Sequence, residues 1–249
     1  MAQYRYNLVI LKCINYYISI FIIMVTHKYK IVSEGHDGCI IFPGIVPLNK
    51  TSHLFVTKIS NKIIIENEKK IYDELPEEFN HLFYEKECYI HKFKKMVIFD
   101  ENILKRIKQK EPENNKYDAI MSIKLFDGID LSKIMSVATN INKEQVLNLL
   151  KKLINLYKCI ETLNTTYFIF HRDITPNNIL YNPKMNEIRI IDFAQSQICP
   201  KGHPPPYLPK KDLDNTIDVI NKVLIFYEKR FKHKLFNHVE NIKEIDRKI

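Results

Sequence analysis

With 249 residues, 45% of them hydrophobic and 27% charged, the chain has the make-up of a globular protein with one sizeable core or two lobes, which excludes a low-complexity or fibrous sequence. A formal net charge of +9 suits an anionic partner, but the lysines are spread along the chain as on solvated helix faces; with no RNA-binding signature and no zinc-ligand spacing, sequence-specific nucleic-acid binding is not expected. The five cysteines, Cys13, Cys39, Cys88, Cys159 and Cys199, are odd in number and never arranged as C-x-x-C, which argues against a disulfide framework and for a reducing, cytoplasmic setting.

In chain order, Leu8 to Val25 is mostly apolar, interrupted by Lys12 and Asn15. Three readings are open for the extension 1–27: a membrane anchor through residues 8–25 with Arg5 and Lys12 on its flank, an extra element packed on the domain, or a natural start at Met24 that leaves the preceding residues untranslated. From Lys28 the pattern is strand, glycine turn, strand: Tyr29 to Val32, the turn Ser33 to Gly38, then Cys39 to Phe42. Gly35 and Gly38 would let backbone N–H groups approach a phosphate, and a plain hairpin accounts for the same residues. Cys39 reads as a small buried residue. Leu54 to Ile59 is a β-rich hexamer carrying Lys58, and Lys62 to Leu75 a helix carrying Glu66 and Glu68, either of which would otherwise be an exposed helix charge.

Between Pro76 and Lys116 only two short strands, Cys88 to Ile90 and Met96 to Phe99, and a charged surface helix with its loop are readable. Tyr117 to Leu125 has a buried-strand pattern and runs into Phe126-Asp127-Gly128-Ile129-Asp130-Leu131, a turn that Asp130 would cap. Asn142 to Thr162 is the clearest amphipathic helix, with Val146, Leu149, Leu150, Leu153, Ile154 and Tyr157 on one face and a capping box from Asn142 and Gln145.

The chemistry concentrates between Phe170 and Ser196. His171-Arg172-Asp173 is followed five residues later by Asn178, and a β-like run from Glu187 to Ile191 delivers Asp192-Phe193-Ala194. Two aspartates and an asparagine supply oxygen ligands for divalent cations and one carboxylate to accept a proton.

In this order and approximate spacing, Gly35, Gly38, Lys58, Glu68, Asp173, Asn178 and Asp192 resemble the protein kinase superfamily, from about Lys28 to Phe231. The resemblance implies an α+β, two-lobed protein kinase-like fold over 28–249, with a small β-rich N-lobe (about 28–125) and a truncated helical C-lobe (about 126–249). It also implies ATP- and Mg2+-dependent phosphoryl transfer to Ser/Thr hydroxyls of a protein substrate by a monomer. On that likeness Asp173 is the catalytic base, Asn178 and Asp192 are the Mg2+ ligands, and Lys58 paired with Glu68 grips the phosphates beneath Gly35 and Gly38. Backbone groups near Lys124 and Phe126 would meet adenine and Asp130 the ribose; His171 and Arg172 would be scaffold, and Asp212 or Asp214 would brace the loop.

Ala194 is followed by 55 residues in the 249-residue chain, with no A-P-E signature. Lys211-Asp212, Asn215 and Phe226 to Phe231 are similar to the shortened C-lobe of RIO-type atypical kinases, and small kinases of large DNA viruses are comparably compact, which would place the protein in a host cytoplasm or virion. His171-Arg172 follows the ordinary kinase form instead. Thr175 stands in place of the lysine of Ser/Thr kinases, Ala194 of the third DFG residue and Ser33 of a loop glycine; a modest rate is the expected consequence. Ser196 and Tyr207 are the few phosphorylatable residues of a short activation segment, and Pro204 to Pro206 reads as a rigid turn. The rival functions are a pseudokinase that binds nucleotide and acts through its surface, and a RIO-like ATPase or small-molecule kinase.

Overall fold

The computed structural model describes residues 30–35, 38–42, 44, 54–83, 88–92, 101–110, 117–136, 141–200 and 207–232. The apolar stretch 8–25, the strand expected at Met96 to Phe99 and the Pro204 to Pro206 run lie outside the described residues. No helix among the described residues is long and apolar enough to cross a membrane.

The architecture is mixed α+β. Strands β1 (Lys30–Gly35), β2 (Gly38–Phe42) and β3 (Phe55–Ser60) are followed by helix α1 (Lys62–Glu74) and a single 3-10 turn, Glu77–Phe79. Then come β4 (Cys88–Lys92), α2 (Glu101–Lys110), β5 (Ala119–Lys124), the short β6 (Ile129–Asp130) and α3 (Leu131–Ser136). The chain continues with α4 (Lys143–Thr162), a π turn (Leu163–Tyr167), β7 (Ile169–Phe170), a 3-10 turn (Pro176–Asn178), β8 (Ile179–Asn182), β9 (Glu187–Ile190), β10 (Gln197–Ile198) and α5 (Tyr207–Phe231). By internal contacts it divides into two compact units, residues 1–61 with 89–122 and residues 62–88 with 123–249.

The first unit is organised by a five-stranded sheet in the order β1-β2-β3-β5-β4, in which β1–β2 and β2–β3 pair antiparallel. The central β3 is buried along its whole length, as its β-branched and aromatic composition suits. Thr57 and Ser122 satisfy each other through a 3.1 Å hydroxyl contact. Cys39, Ile41, Ile59, Tyr117 and Ile120 form the core together with Ile103 and Ile107 of α2. The helix expected as a surface element therefore has an inner face, because Ile103 and Ile107, one turn apart, are apolar amid exposed neighbours. Gly38 pairs with Gly35 across the hairpin and has φ +142; a Cβ there would lie 2.3 Å from the carbonyl oxygen of Ile59. The need for glycine at 38 is thus set by the neighbouring strand of the protein itself.

In the second unit, α4 is packed along α5. The Asn142 side chain accepts from Gln145 N at 2.9 Å and the Gln145 side chain accepts from Asn142 N at 3.0 Å, the reciprocal cap expected from the sequence. Val146, Leu149, Leu150, Leu153 and Ile154 are buried on the inner face of α4, and α5 buries Val219, Ile220, Val223 and Tyr227, while Leu208 at its start packs with Phe170 and Cys199. Pro209 falls in the first turn of α5, where a missing N–H costs nothing. A small antiparallel sheet, β6-β8-β9, and the β7–β10 pair complete the scaffold, so that the segment between β7 and β8 and the one between β9 and β10 are each held at both ends.

Candidate active site

The segment His171–Asn178 leaves β7 in a conformation fixed from below by α5. Asp212 is 1% exposed. Its Oδ2 accepts from the backbone N–H of His171 at 2.7 Å and its Oδ1 from that of Arg172 at 2.8 Å. Of the two aspartates that the sequence left open for this brace, Asp212 takes the role and Asp214 is exposed. Burial raises the Asp212 carboxyl to about 6 against the opposing pull of those two N–H groups and of Lys211 and Arg172. The tether is paired with backbone strain: Arg172 has φ 68, a left-handed conformation that a residue with a β-carbon keeps only when its surroundings impose it.

His171 turns inward. Its Nδ1 accepts from Asp173 N at 3.3 Å and its Nε2 lies 3.1 Å from the carbonyl oxygen of Ile191, so the neutral ring carrying its proton on Nε2 satisfies both contacts. Burial lowers its pKa to about 4, although the Ile191 carbonyl and the charges of Asp192 and Asp173 pull the other way. This ring is a neutral structural bridge between the loops that carry Asp173 and Asp192.

Asp173 is half-buried, and Asn178 is folded back across it: Nδ2 donates to the Asp173 carbonyl at 2.9 Å and to Asp173 Oδ2 at 2.8 Å. The 3-10 turn starting at Pro176 makes this possible, since Asn178 N closes on Thr175 O at 3.0 Å and brings the asparagine back over the aspartate. Asn178 O in turn accepts from Ile191 N at 2.9 Å, the residue immediately before Asp192. Asp192, half-buried, also has a left-handed backbone, φ 65.

Phe193 is buried in an aromatic cluster with Tyr72 (ring centroids 5.2 Å apart), Phe83 (5.4 Å) and His171 (4.7 Å). Glu68 is 1% exposed on α1, and its Oε1 accepts from Phe193 N at 3.3 Å and from the Tyr72 hydroxyl at 3.4 Å. Glu66, the other glutamate considered, is exposed and lies 3.4 Å from Lys62. Lys58, in the first unit, faces Ile40 across the β2–β3 pair and is 5% exposed.

Around the β5–α3 corner the polar groups are used locally. The Phe126 carbonyl accepts from Gly128 N at 2.9 Å, and a Cβ on Gly128 would sit 2.4 Å from the Phe126 ring. Asp130 caps α3 through Lys133 N at 2.8 Å and pairs with Lys133 Nζ at 2.9 Å. Lys124 ends β5 half-exposed.

The structure therefore brings Asp173, Asn178 and His171 together with the backbone before Asp192, and Glu68 with Phe193. Three further residues that the sequence did not single out for these contacts take part. Asn67 binds the carbonyls of Ala194 and Ser196, and the Ser196 hydroxyl binds the His171 carbonyl. Arg189 on β9 donates to the carbonyls of Asn80 and Phe83 at 2.6 and 2.7 Å while its guanidinium lies 5.4 Å from the Phe126 ring centroid. Nothing in the local pattern marks an asparagine on an exposed-looking turn of helix or an arginine on a strand for such roles.

The donor chemistry fits magnesium. Carboxylate and amide oxygens are the hard ligands that Mg2+ takes, and with Nδ2 of Asn178 committed to Asp173 the amide presents Oδ1 as its remaining acceptor. No cluster of three or more His, Cys, Asp or Glu arranged for a metal ion occurs among the described residues. No protein-family model matches the chain.

Proposed function

We propose that the chain is a compact, kinase-like phosphotransferase that moves the terminal phosphoryl group of Mg2+-ATP to a Ser/Thr hydroxyl of a protein. The observation that supports it most is the pairing of Asp173 with Asn178, in a loop whose backbone is braced by Asp212 and whose Asn178 carbonyl accepts from Ile191 N, directly before Asp192. A carboxylate carrying one hydrogen bond, held by the amide of a residue whose own carbonyl is tied to the backbone just before a second aspartate, supports the positioning that in-line phosphoryl transfer asks of a protein.

In this reading the Asp173 carboxylate orients the attacking hydroxyl and takes its proton as the new O–P bond forms and the bridging O–P bond to ADP breaks. Asn178 and Asp192 would hold Mg2+, which would supply neutralisation of the phosphate charge. Asp212, His171 and Asn178 keep the Asp173 backbone and carboxylate in register. The roles of Gly35, Gly38 and Lys58 toward phosphates, of Glu68 toward Lys58, and of Lys124 and Phe126 toward adenine rest on the sequence resemblance; Asp130, with both oxygens on Lys133, is assigned to α3.

The test is incubation of the full chain with Mg2+, labelled ATP and an acceptor protein, beside Asp173→Asn and Asp192→Asn. Protein labelling that disappears in both variants is the expected result. ADP release without labelling turns the reading to an ATPase, and nucleotide binding without turnover to a pseudokinase.

A further inference from the structure

Asn67 precedes Glu68 on α1, and its side chain reaches the far end of the stretch whose first N–H, that of Phe193, Glu68 accepts. Its amide has two N–H groups, and they meet two carbonyls in the stretch that follows Asp192: Ala194 at 3.3 Å and Ser196 at 3.1 Å. The gripped stretch is a tight turn, closed by Ser196 N on Phe193 O at 3.0 Å. The constraint continues through Ser196, 5% exposed, whose hydroxyl donates to the carbonyl of His171 at 3.1 Å. Two hydrogen bonds thus lead from α1 to the first residue of the loop that carries Asp173. The turn they cross begins directly after Asp192, whose left-handed φ of 65 needs an external hold.

We propose that Asn67 is a positioning residue for the Asp192 carboxylate, resting on the phosphotransferase reading. It ties the backbone after Asp192 to α1, and Ser196 carries the same tie to the Asp173 loop, so the two carboxylates keep their register without a modified side chain. Ser196 is correspondingly unavailable as a phosphorylation site, because its hydroxyl is buried and already donated. An aspartate at 67 would keep the shape of the side chain but lose both donors and set a negative charge against two carbonyls.

Asn67→Asp, Asn67→Gln and Ser196→Ala in the full chain test this with two readouts. The first needs no ligand: amide hydrogen exchange of the peptide covering 193–199, with the α4 peptide 146–160 as internal control. Asn67→Asp is expected to speed exchange at 193–199 by about tenfold or more and leave α4 unchanged, Ser196→Ala to act in the same direction by less, and Asn67→Gln to restore part of the protection. The second is the rate as a function of Mg2+, where Asn67→Asp is expected to lower kcat and raise the half-saturating Mg2+ concentration severalfold. A merely structural role would leave the Mg2+ dependence where it was. Unchanged exchange at 193–199 in both Asn67→Asp and Ser196→Ala overturns the tie, and faster exchange with an unmoved Mg2+ dependence overturns the positioning role. A wild-type chain with no turnover overturns the phosphotransferase reading instead and takes the catalytic part of the proposal with it, while exchange still decides whether Asn67 holds the turn.

Discussion

Two turns of the second unit, Phe126–Lys133 and His171–Asn178, each carry an aspartate beside a backbone corner, and they spend it in opposite ways. At the first, Asp130 gives one oxygen to Lys133 N and the other to Lys133 Nζ, and the Phe126 carbonyl is taken by Gly128. At the second, the scaffolding is delegated to neighbours. Asp212 binds the N–H groups of His171 and of the left-handed Arg172, His171 bridges to Ile191, and Asn178 covers one oxygen of Asp173, leaving Oδ1 without a partner among the described residues. A residue type at the right spacing does not make a site; a carboxylate held in place by other groups, with an oxygen uncommitted, can serve one.

The largest break of that contrast comes from the uncommitted group itself. Asp173→Asn keeps shape and packing but removes the proton acceptor, and should lower the phosphoryl-transfer rate by about 10²–10⁴-fold, with a thermal midpoint close to that of the parent. Asp192→Asn should lose activity on a similar scale through weakened cation binding. Parent-like rates in both would end the comparison, since Asp173 would then be no more functional than Asp130.

Breaking the scaffold should read out in stability first. Asp212→Ala strands two N–H groups at a buried corner and should destabilise the second unit by about 3 kcal/mol, measurable by denaturant unfolding. The pH dependence gives a sharper version. His171, lowered from 6.5 to about 4, contributes stability that is present above pH 6.5 and lost as pH falls through 4. Asp212, raised from 3.8 to about 6, contributes stability that is present below pH 3.8 and lost as pH rises through 6. The two contributions are each on the order of 3 kcal/mol and opposite in sign, so between pH 4 and 6 they offset. Asp212→Asn should expose the His171 slope as a rise in stability from pH 4 to 6.5, whereas an unchanged pH profile would show that the two groups do not oppose each other.

How much of this was legible in the sequence follows the range of the interactions. The α4 helix and its capping box were, because both are written within a few residues: a 3.6-residue apolar period and a polar pair three apart. The order of Asp173, Asn178 and Asp192 was legible for the same reason, and the 3-10 turn at Pro176 is what converts that spacing into contact. The choice of Asp212 over Asp214 was not, since both lie in α5 and only the packing of that helix decides which one faces His171. Asn67, Ser196 and Arg189 were illegible as contacts because their partners are backbone carbonyls, which every residue has, at sequence distances that no local pattern encodes. The inner face of α2 was present as Ile103 and Ile107 but outweighed by the surrounding charge.

The smallest effect belongs to the turn where the contrast began. Asp130→Ala removes an N-cap and an exposed pairing with Lys133, which together should cost about 1 kcal/mol, most of it from the cap. Because both carboxylate oxygens already have partners on α3, the KM for ATP should move by less than about threefold, within the ~0.6 kcal/mol that this ratio represents. A nucleotide that recruits Asp130 to the ribose must first break the Lys133 contacts or share them, and the signature is distinct: KM rises tenfold or more with kcat held, and Asp130→Asn, which keeps a cap acceptor, recovers stability without recovering KM. That outcome would make the two turns alike after all, with Asp130 held in reserve by its own helix until ligand arrives.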